Sequence, residues 1–464
     1  MDGTLIFFGV SFIGVIAVTL LAHAFSRQHK IASSWSLFLL GSAIFVGLSA
    51  IEVVTKPRGY LNYDNADYVN FMFGTIVFYV TIYAAYYFLK YPRRLAGRHF
   101  NKWPSAEPTY LILTMVPFCI GFSLIHFVLP PVPFIQELVR NLYTPMAIAA
   151  QVLCLYAWDK DRRNPFIFTL LVLVTIFGVF IVLSSGTTAR RPLFSLLLAI
   201  PITFYWLKWR YQALGKNVIR AAIGVSVIFV IIGAFTTFRH WDVAHREEKD
   251  PLKRAIMNFV TLPKAVWESP LIWKMINGQG AAEISLVAIN RYAKDLDTEP
   301  FFTLKMIAVN PIPRRWWPGK PEALGTTLPR DIGRYRYGYV NFGPGIIGHG
   351  FHEGGYPMLI FYGVLFGLCF RFYDELLFRQ SNNPYILAVL GAISGHVVAF
   401  SRGDIAVFAI QIISVIAAIG LMVFIGRFAF GTHLKYPRST DNLRSRSSRV
   451  AQSRTRVLPG RRTI

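Results

Sequence analysis

Apolar residues come in long blocks along this chain, separated by short charged ones. The blocks run Leu5–Phe25, Trp35–Val54, Val69–Leu89, Tyr110–Leu129, Leu142–Trp158, Phe166–Ser184, Leu193–Trp209, Val218–Thr237, Tyr356–Tyr373, Tyr385–Phe400 and Ile405–Phe428. Each is near the ~20 residues that carry a helix across a hydrocarbon core. The pattern therefore predicts an all-α polytopic membrane protein with about 11 transmembrane helices. One polar segment is long. It divides the chain into spans 1–8 (1–237), a loop (238–355), spans 9–11 (356–428) and a basic tail (429–464). Inside the loop, Ile256, Phe259 and Val260, and again Ile284, Val287 and Ala288, recur at helical spacing. Short amphipathic helices are expected there, too short and too charged to span.

Composition supports a membrane solvent: 54% hydrophobic, 15% aromatic and 16% charged residues. The net charge of +24 would suggest nucleic acid in a soluble protein. Here the cations sit in alternate short loops: Arg27 and Lys30; Lys90, Arg93, Arg94, Arg98 and Lys102; Lys160, Arg162 and Arg163; Lys208, Arg210, Lys216 and Arg220; Arg371 and Arg379; then the tail from Arg427. Alternation of this kind reports orientation, with the basic loops cytoplasmic. The N-terminus is then outside and the C-terminus inside, as an odd number of spans requires. Asp2 stands where a signal peptide would be basic, so the first block reads as an uncleaved helix. The Arg/Ser-rich end, Ser439–Ile464, lacks apolar periodicity. Disorder and contact with anionic headgroups are expected of it, rather than binding to nucleic acid. Cys119, Cys154 and Cys369 all lie in apolar blocks, so neither a disulfide framework nor a thiolate metal site is indicated.

Candidate chemistry concentrates in the loop. Asn310-Pro311-Ile312-Pro313-Arg314-Arg315-Trp316-Trp317-Pro318-Gly319-Lys320-Pro321 excludes continuous helix or central strand. Its prolines preset φ and are expected to hold Arg314 and Arg315 on a stiff extended backbone. Two guanidiniums beside two indoles suit an anionic group attached to something apolar or to a sugar face. A Pro-rich turn anchored in the interface by tryptophan is the plainer alternative. Arginines also stand in short loops expected to face outward: Arg190 and Arg191 after Ser184–Ala189, and Arg402 in Ser401-Arg402-Gly403-Asp404. Glu52, His126, Arg140, Asn141 and His396 fall near the expected outer ends of spans. Polar groups near membrane depth are costly and usually line a cavity, although each alone is as well explained as a cap or snorkel. Together they suggest an outward pocket for a polyprenyl pyrophosphate. Arginine grips phosphate oxygens in paired hydrogen bonds. Being permanently charged, it can stabilise a departing pyrophosphate with no metal or other cofactor.

Three pieces of sequence resemble bacterial oligosaccharide repeat-unit polymerases of the Wzy type, which build O-antigen and exopolysaccharide. These are Ser185-Gly186-Thr187 leading to Arg190-Arg191; Asn310–Arg314 with Trp317-Pro318 and Lys320-Pro321; and the Gly-rich run Gly345–Gly363 with Arg402-Gly403-Asp404. The resemblance implies a GT-C-like membrane glycosyltransferase in the bacterial inner membrane. Such an enzyme transfers the growing glycan from undecaprenyl pyrophosphate onto an incoming lipid-linked repeat unit, and a chain-length regulator is a possible partner. It implies pyrophosphate-binding roles for Arg191, Arg314 and Arg402, with Arg190 and Arg315 in support. Trp316 and Trp317 would meet sugar rings or the interface. The family often shows Gly-Glu, Tyr, Asn and Gly before span 9. This chain has Gly348-His349, Phe351, Glu353 and Gly355, which makes His349, His352 and Glu353 the candidates for the base.

Other readings keep the same lipid. An O-antigen ligase would share the donor but not the acceptor. A metal-dependent transferase would use Asp64 and Asp67, flanked by Asn62 and Asn65. A flippase would be expected to show internal repeats; none is visible, although Pro117, Pro145 and Pro201 suit kinked helices.

Overall fold

The computed structural model describes residues 2–26, 30–55, 59, 62–99, 105–128, 133–184, 190–213, 215–220, 223–224, 250, 253, 256–257, 260, 280–295, 298–333, 342–430 and 434–435. The helices in order are α1 (Asp2–Phe25), α2 (Ser34–Ser42), a π-helical stretch (Ala43–Leu48), α3 (Ser49–Thr55), α4 (Asn65–Phe88) and α5 (Tyr91–His99). Next come α6 (Pro108–Tyr110), a second π-helical stretch (Leu111–Met115), α7 (Val116–Val128), α8 (Pro133–Lys160), α9 (Pro165–Ser184) and α10 (Arg190–Leu207). After the polar segment begins, α11 (Ala281–Asp295), α12 (Phe302–Val309), α13 (Leu324–Asp331) and α14 (Gly345–Glu353) follow, and then α15 (Tyr356–Arg379), α16 (Pro384–Ala399) and α17 (Ile405–Phe430). The protein is all-α. Among the described residues, extended pairing is confined to Ser105–Ala106 against Leu434–Lys435.

Among the described residues, seven helices are long and apolar enough to cross a membrane: Asp2–Phe25, Ser34–Thr55, Asn65–Phe88, Pro108–Ile125, Pro165–Ser184, Tyr356–Arg379 and Ile405–Gly426. Each covers one expected span. Arg191–Leu207 and Pro384–Ala399 are apolar but shorter. The expected span Leu142–Trp158 lies within α8, and most of Val218–Thr237 falls outside the described residues.

At the centre stands α16, buried along its whole face from Pro384 to Val398. Sixteen residues reach only about 24 Å, short of a bilayer core of about 30 Å. Protein rather than lipid surrounds this helix, so it need not match that thickness. It packs on α10, α8 and α2. The closest approach is at Gly41 of α2, where an added Cβ would lie 1.7 Å from the Val398 carbonyl oxygen; at Gly395 one would lie 2.1 Å from the Arg191 carbonyl oxygen. Small residues allow such backbone contact where no hydrophobic force separates helix from lipid. The longest contact joins α15 to α4, with Gly367 set against Ala85 and the Ile82 carbonyl. By contrast, Phe7, Val10, Val15, Val18 and Leu21 of α1 are exposed, as a lipid-facing helix requires.

The polar segment carries a core of its own. Ile284, Val287, Ala288, Tyr292, Phe302, Met306, Leu324, Leu328 and Phe342 bury one another beside Ala406 of α17. The helical spacing at 284, 287 and 288 thus marks the inner face of α11. Of the earlier set, Ile256 and Val260 are exposed, while Phe259 and the tail from 436 lie outside the described residues.

Candidate functional site

Gly354 (φ 135°) and Gly355 (φ 71°) turn the chain from α14 into α15, a backbone path that side chains with a Cβ rarely follow. The turn places the end of α14 beside the start of α12. There the Glu353 carboxylate, with 0% exposure, accepts three hydrogen bonds. Its Oε1 accepts the Thr303 N–H (3.1 Å) and the Thr303 hydroxyl (2.5 Å), and its Oε2 accepts the Tyr362 hydroxyl (2.5 Å). A carboxylate at a helix N-terminus meets the positive end of the helix dipole and otherwise unpaired N–H groups. The residue before α12, Phe301, is left-handed at φ 59°.

His349, also at 0% exposure, completes the chain of bonds. Its Nε2 lies 3.3 Å from the Ile405 N–H and its Nδ1 lies 3.2 Å from Thr303 Oγ1. Because the Thr303 proton goes to Glu353, Thr303 Oγ1 accepts from Nδ1–H, and Nε2 accepts from Ile405. The bonds therefore select the neutral Nδ1–H tautomer. Asp404 Oδ1 stands 3.6 Å from Nε2 and caps α17 through the Val407 N–H (3.2 Å). Its Oδ2 accepts the Gly325 N–H (2.9 Å). His352 is buried between the rings of Tyr292 (4.4 Å) and Phe302 (5.0 Å). The three residues read from the sequence as base candidates are thus all interior, and they join α11, α12, α14, α15 and α17.

The arginines are distributed unevenly. Arg191 donates to Gln411 Oε1 (3.0 Å), and its guanidinium lies 4.0 Å from the centre of the Phe408 ring. Gly403 backs the same ring: a Cβ there would fall 2.0 Å from Phe408 Cζ. His396 meets that ring edge-on at 6.3 Å. The Arg402 guanidinium, one residue from Gly403, lies 5.5 Å from the centre of the Phe45 ring. Phe45 belongs to the π-helical stretch 43–48, and such insertions are frequent at functional sites. Just after that stretch, Ser49 Oγ accepts the Ala282 N–H (3.0 Å) and Glu52 Oε2 accepts the Gly280 N–H (3.1 Å). Arg191 thus reaches, through Phe408, the glycine turn that carries Arg402, 211 positions on in sequence, while the Arg402 guanidinium itself lies on Phe45.

The proline-arginine stretch departs from the extended form expected of it. Trp316 N–H and Trp317 N–H both donate to the Pro313 carbonyl (3.0 and 3.2 Å), and Lys320 N–H donates to Trp317 (3.0 Å). These are successive turns, with proline supplying turn dihedrals. Arg314 donates to the carbonyls of Lys320 (2.9 Å) and Pro321 (3.2 Å), and Lys320 Nζ donates to those of Asn310 (2.7 Å) and Ile312 (2.9 Å). Both cations thus fasten their own loop. Arg314 and Arg315 are exposed, as are Trp316 (74%) and Trp317 (37%).

Asp64 and Asp67, a possible metal pair by sequence, form a capping box at the start of α4. Asp67 Oδ2 accepts the Asp64 N–H (2.9 Å) and an Asn290 Nδ2–H (2.7 Å), which ties α4 to α11. Residues 185–189 and 334–341 fall outside the described residues, with Tyr335, Tyr337 and Tyr339 among them, and so do the side chains of His126, Arg140, Asn141 and Arg190. Sequence reading missed Asp374, which is fully buried and accepts from Ser34 N–H (2.8 Å), Ser34 Oγ–H (2.7 Å) and Tyr86 (2.7 Å). Its signal was an acid inside an apolar block. The chain matches no family model, no curated protein and no solved structure.

Proposed function

We propose that this protein is a membrane glycosyltransferase that polymerises undecaprenyl-pyrophosphate-linked repeat units into O-antigen or exopolysaccharide. In this reading it sits in the bacterial inner membrane with eleven spans, a GT-C-like layout, the N-terminus outside and the C-terminus in the cytoplasm. The segment 238–355 then faces the extracytoplasmic side. The observation that supports the reading best is that the Arg191 guanidinium lies on Phe408, the ring that packs against Gly403 in the turn carrying Arg402.

Arg191 holds one guanidinium nitrogen on Gln411 and one face on Phe408, which leaves its remaining N–H groups for phosphate oxygens. As the anomeric C1–O bond to pyrophosphate breaks, negative charge grows on the leaving oxygens, and fixed guanidiniums stabilise it without reorganising. The acceptor hydroxyl forms the new bond to C1 and gives its proton to an oxygen of the departing pyrophosphate, which leaves on the polyprenol. Trp316 and Trp317, exposed in the loop 310–321, supply faces for sugar rings in this reading. His349, His352 and Glu353 act as positioning residues: their bonds fix α14 against α12 and α17, and so set the 401–404 turn that carries Arg402.

The test is purified protein reconstituted with a defined lipid-linked repeat unit. A product ladder is expected, and it should vanish in Arg191→Lys and Arg402→Lys, which keep charge but lose the fork. Transfer of a single glycan only to a non-repeat acceptor would replace this reading with a ligase. Movement of the lipid across the bilayer with no transfer would replace it with a transporter.

A further inference from the structure

The far end of α15 holds a second polar region that the proposed reaction does not use. There α5 packs against the last turns of α15, and a cavity of ≈ 730 Å³ opens between them. Lys90, Arg93, Arg94 and Arg98 line it from one side, and Arg371 and Arg379 from the other. Glu375 offsets part of this charge, with its carboxylate oxygens 2.7 Å from Arg371 and 3.8 Å from Arg379. Among the described residues, the side chains of Lys90, Arg93, Arg94 and Arg98 form no hydrogen bond or ion pair. Like charges at such density repel unless an anion sits among them. The surroundings register the field. Nearby Lys30 has its ammonium pushed below the usual range, first by burial and then by Arg371, with Arg93 adding to the effect against the pull of Asp374 and Glu375.

The mouth of the cavity has an apolar lip. Tyr87 and Leu89 line it with 43% and 41% of their surface exposed, and the neighbouring Phe88, at the end of α4, is 79% exposed. Cationic floor and apolar lip meet where a membrane helix ends and α5 begins, the level at which phosphate headgroups lie.

We propose that this cleft binds a multiply charged phosphate anion, held by Arg94 and Arg98 on α5 and by Arg371 and Arg379 on α15. The phosphate comes from an anionic phospholipid headgroup or from a soluble phosphate compound. This inference is independent of the proposed polymerase activity.

Full-length protein in neutral detergent, titrated in separate arms with diphosphatidylglycerol and with inorganic pyrophosphate, tests it by native mass spectrometry. The Arg94→Gln/Arg98→Gln variant should bind the favoured probe about tenfold more weakly than wild type at the same salt. Arg94→Lys/Arg98→Lys should keep much of that affinity, and all three proteins should unfold at the same temperature. Tighter binding of the lipid identifies a membrane source, and tighter binding of pyrophosphate a soluble one; either supports the site. Equal binding of both probes by wild type and the glutamine variant overturns it, because the basic tail, present in both, would then account for all retention.

Discussion

The two ends of α15 treat charge in opposite ways. At its start the Glu353 carboxylate is enclosed and accepts from Thr303 twice and from Tyr362 once. At its end Arg371 and Arg379 share one glutamate and face, with Lys90 and three arginines of α5, an open cleft. A helix of 24 residues separates the two by about 36 Å. The closed end joins elements, because the Glu353 carboxylate is engaged by both Thr303 of α12 and Tyr362 of α15. The open end has charge to spare. Charged residues alone therefore do not mark a binding site; what matters is whether the fold has already answered them.

Removing the closed end's acid should give the largest effect. Glu353→Ala leaves the Thr303 N–H, the Thr303 hydroxyl and the Tyr362 hydroxyl buried without their acceptor, each at about 1–3 kcal/mol. A loss of about 3 kcal/mol or more is expected, read as a steep fall in the thermal unfolding midpoint in detergent. Glu353→Gln keeps the shape; a folded, stable variant with abolished polymer synthesis would move Glu353 from positioning into the chemistry. Next is Arg191→Lys, expected to slow polymer formation by about 10²-fold or more with the fold intact, since a lysine cannot keep both the Gln411 bond and a phosphate fork. Chain-length profiles on gels measure this, and wild-type profiles would remove Arg191 from the pyrophosphate role.

Smaller effects sharpen the contrast. Tyr362→Phe strips one donor from Glu353 and should cost about 1–2 kcal/mol in unfolding experiments. Arg314→Lys should loosen only its own loop, because the guanidinium bridges two carbonyls six and seven residues on. Faster proteolysis within 314–320, an unchanged unfolding midpoint and a milder polymer defect than Arg191→Lys are expected. An equal defect would bring the loop into the site. Smallest of all, Arg94→Gln at the open end should change stability by no more than about 0.5 kcal/mol. A large loss there would mean that the cleft, like the closed end, is architecture.

Much of the fold was legible because hydrocarbon solvation is a coarse and local demand. Seven apolar blocks recur as helices able to cross a membrane, and Ile284, Val287 and Ala288 face a core as their spacing requires. The site was less legible. Arg314 looked like a ligand because its neighbours are prolines and tryptophans, yet its partners are carbonyls of its own turn. His349 and Glu353 looked like acid–base candidates, yet Thr303, 46 and 50 positions away, joins them through one hydroxyl. Asp374 attracted no notice, although it caps α2 from 340 positions on.

The sequence by itself determined the class of solvent this chain folds in, the helices that solvent demands and the presence of a folded polar segment, because each follows from the kind of residue at each position over short windows. Only the tertiary structure decided which polar groups answer one another. Hydrogen bonds and charge contacts act over about 3–4 Å, and that distance joins Glu353 to Thr303, and Arg191 to Gln411, across stretches of chain that carry no local trace of the pairing.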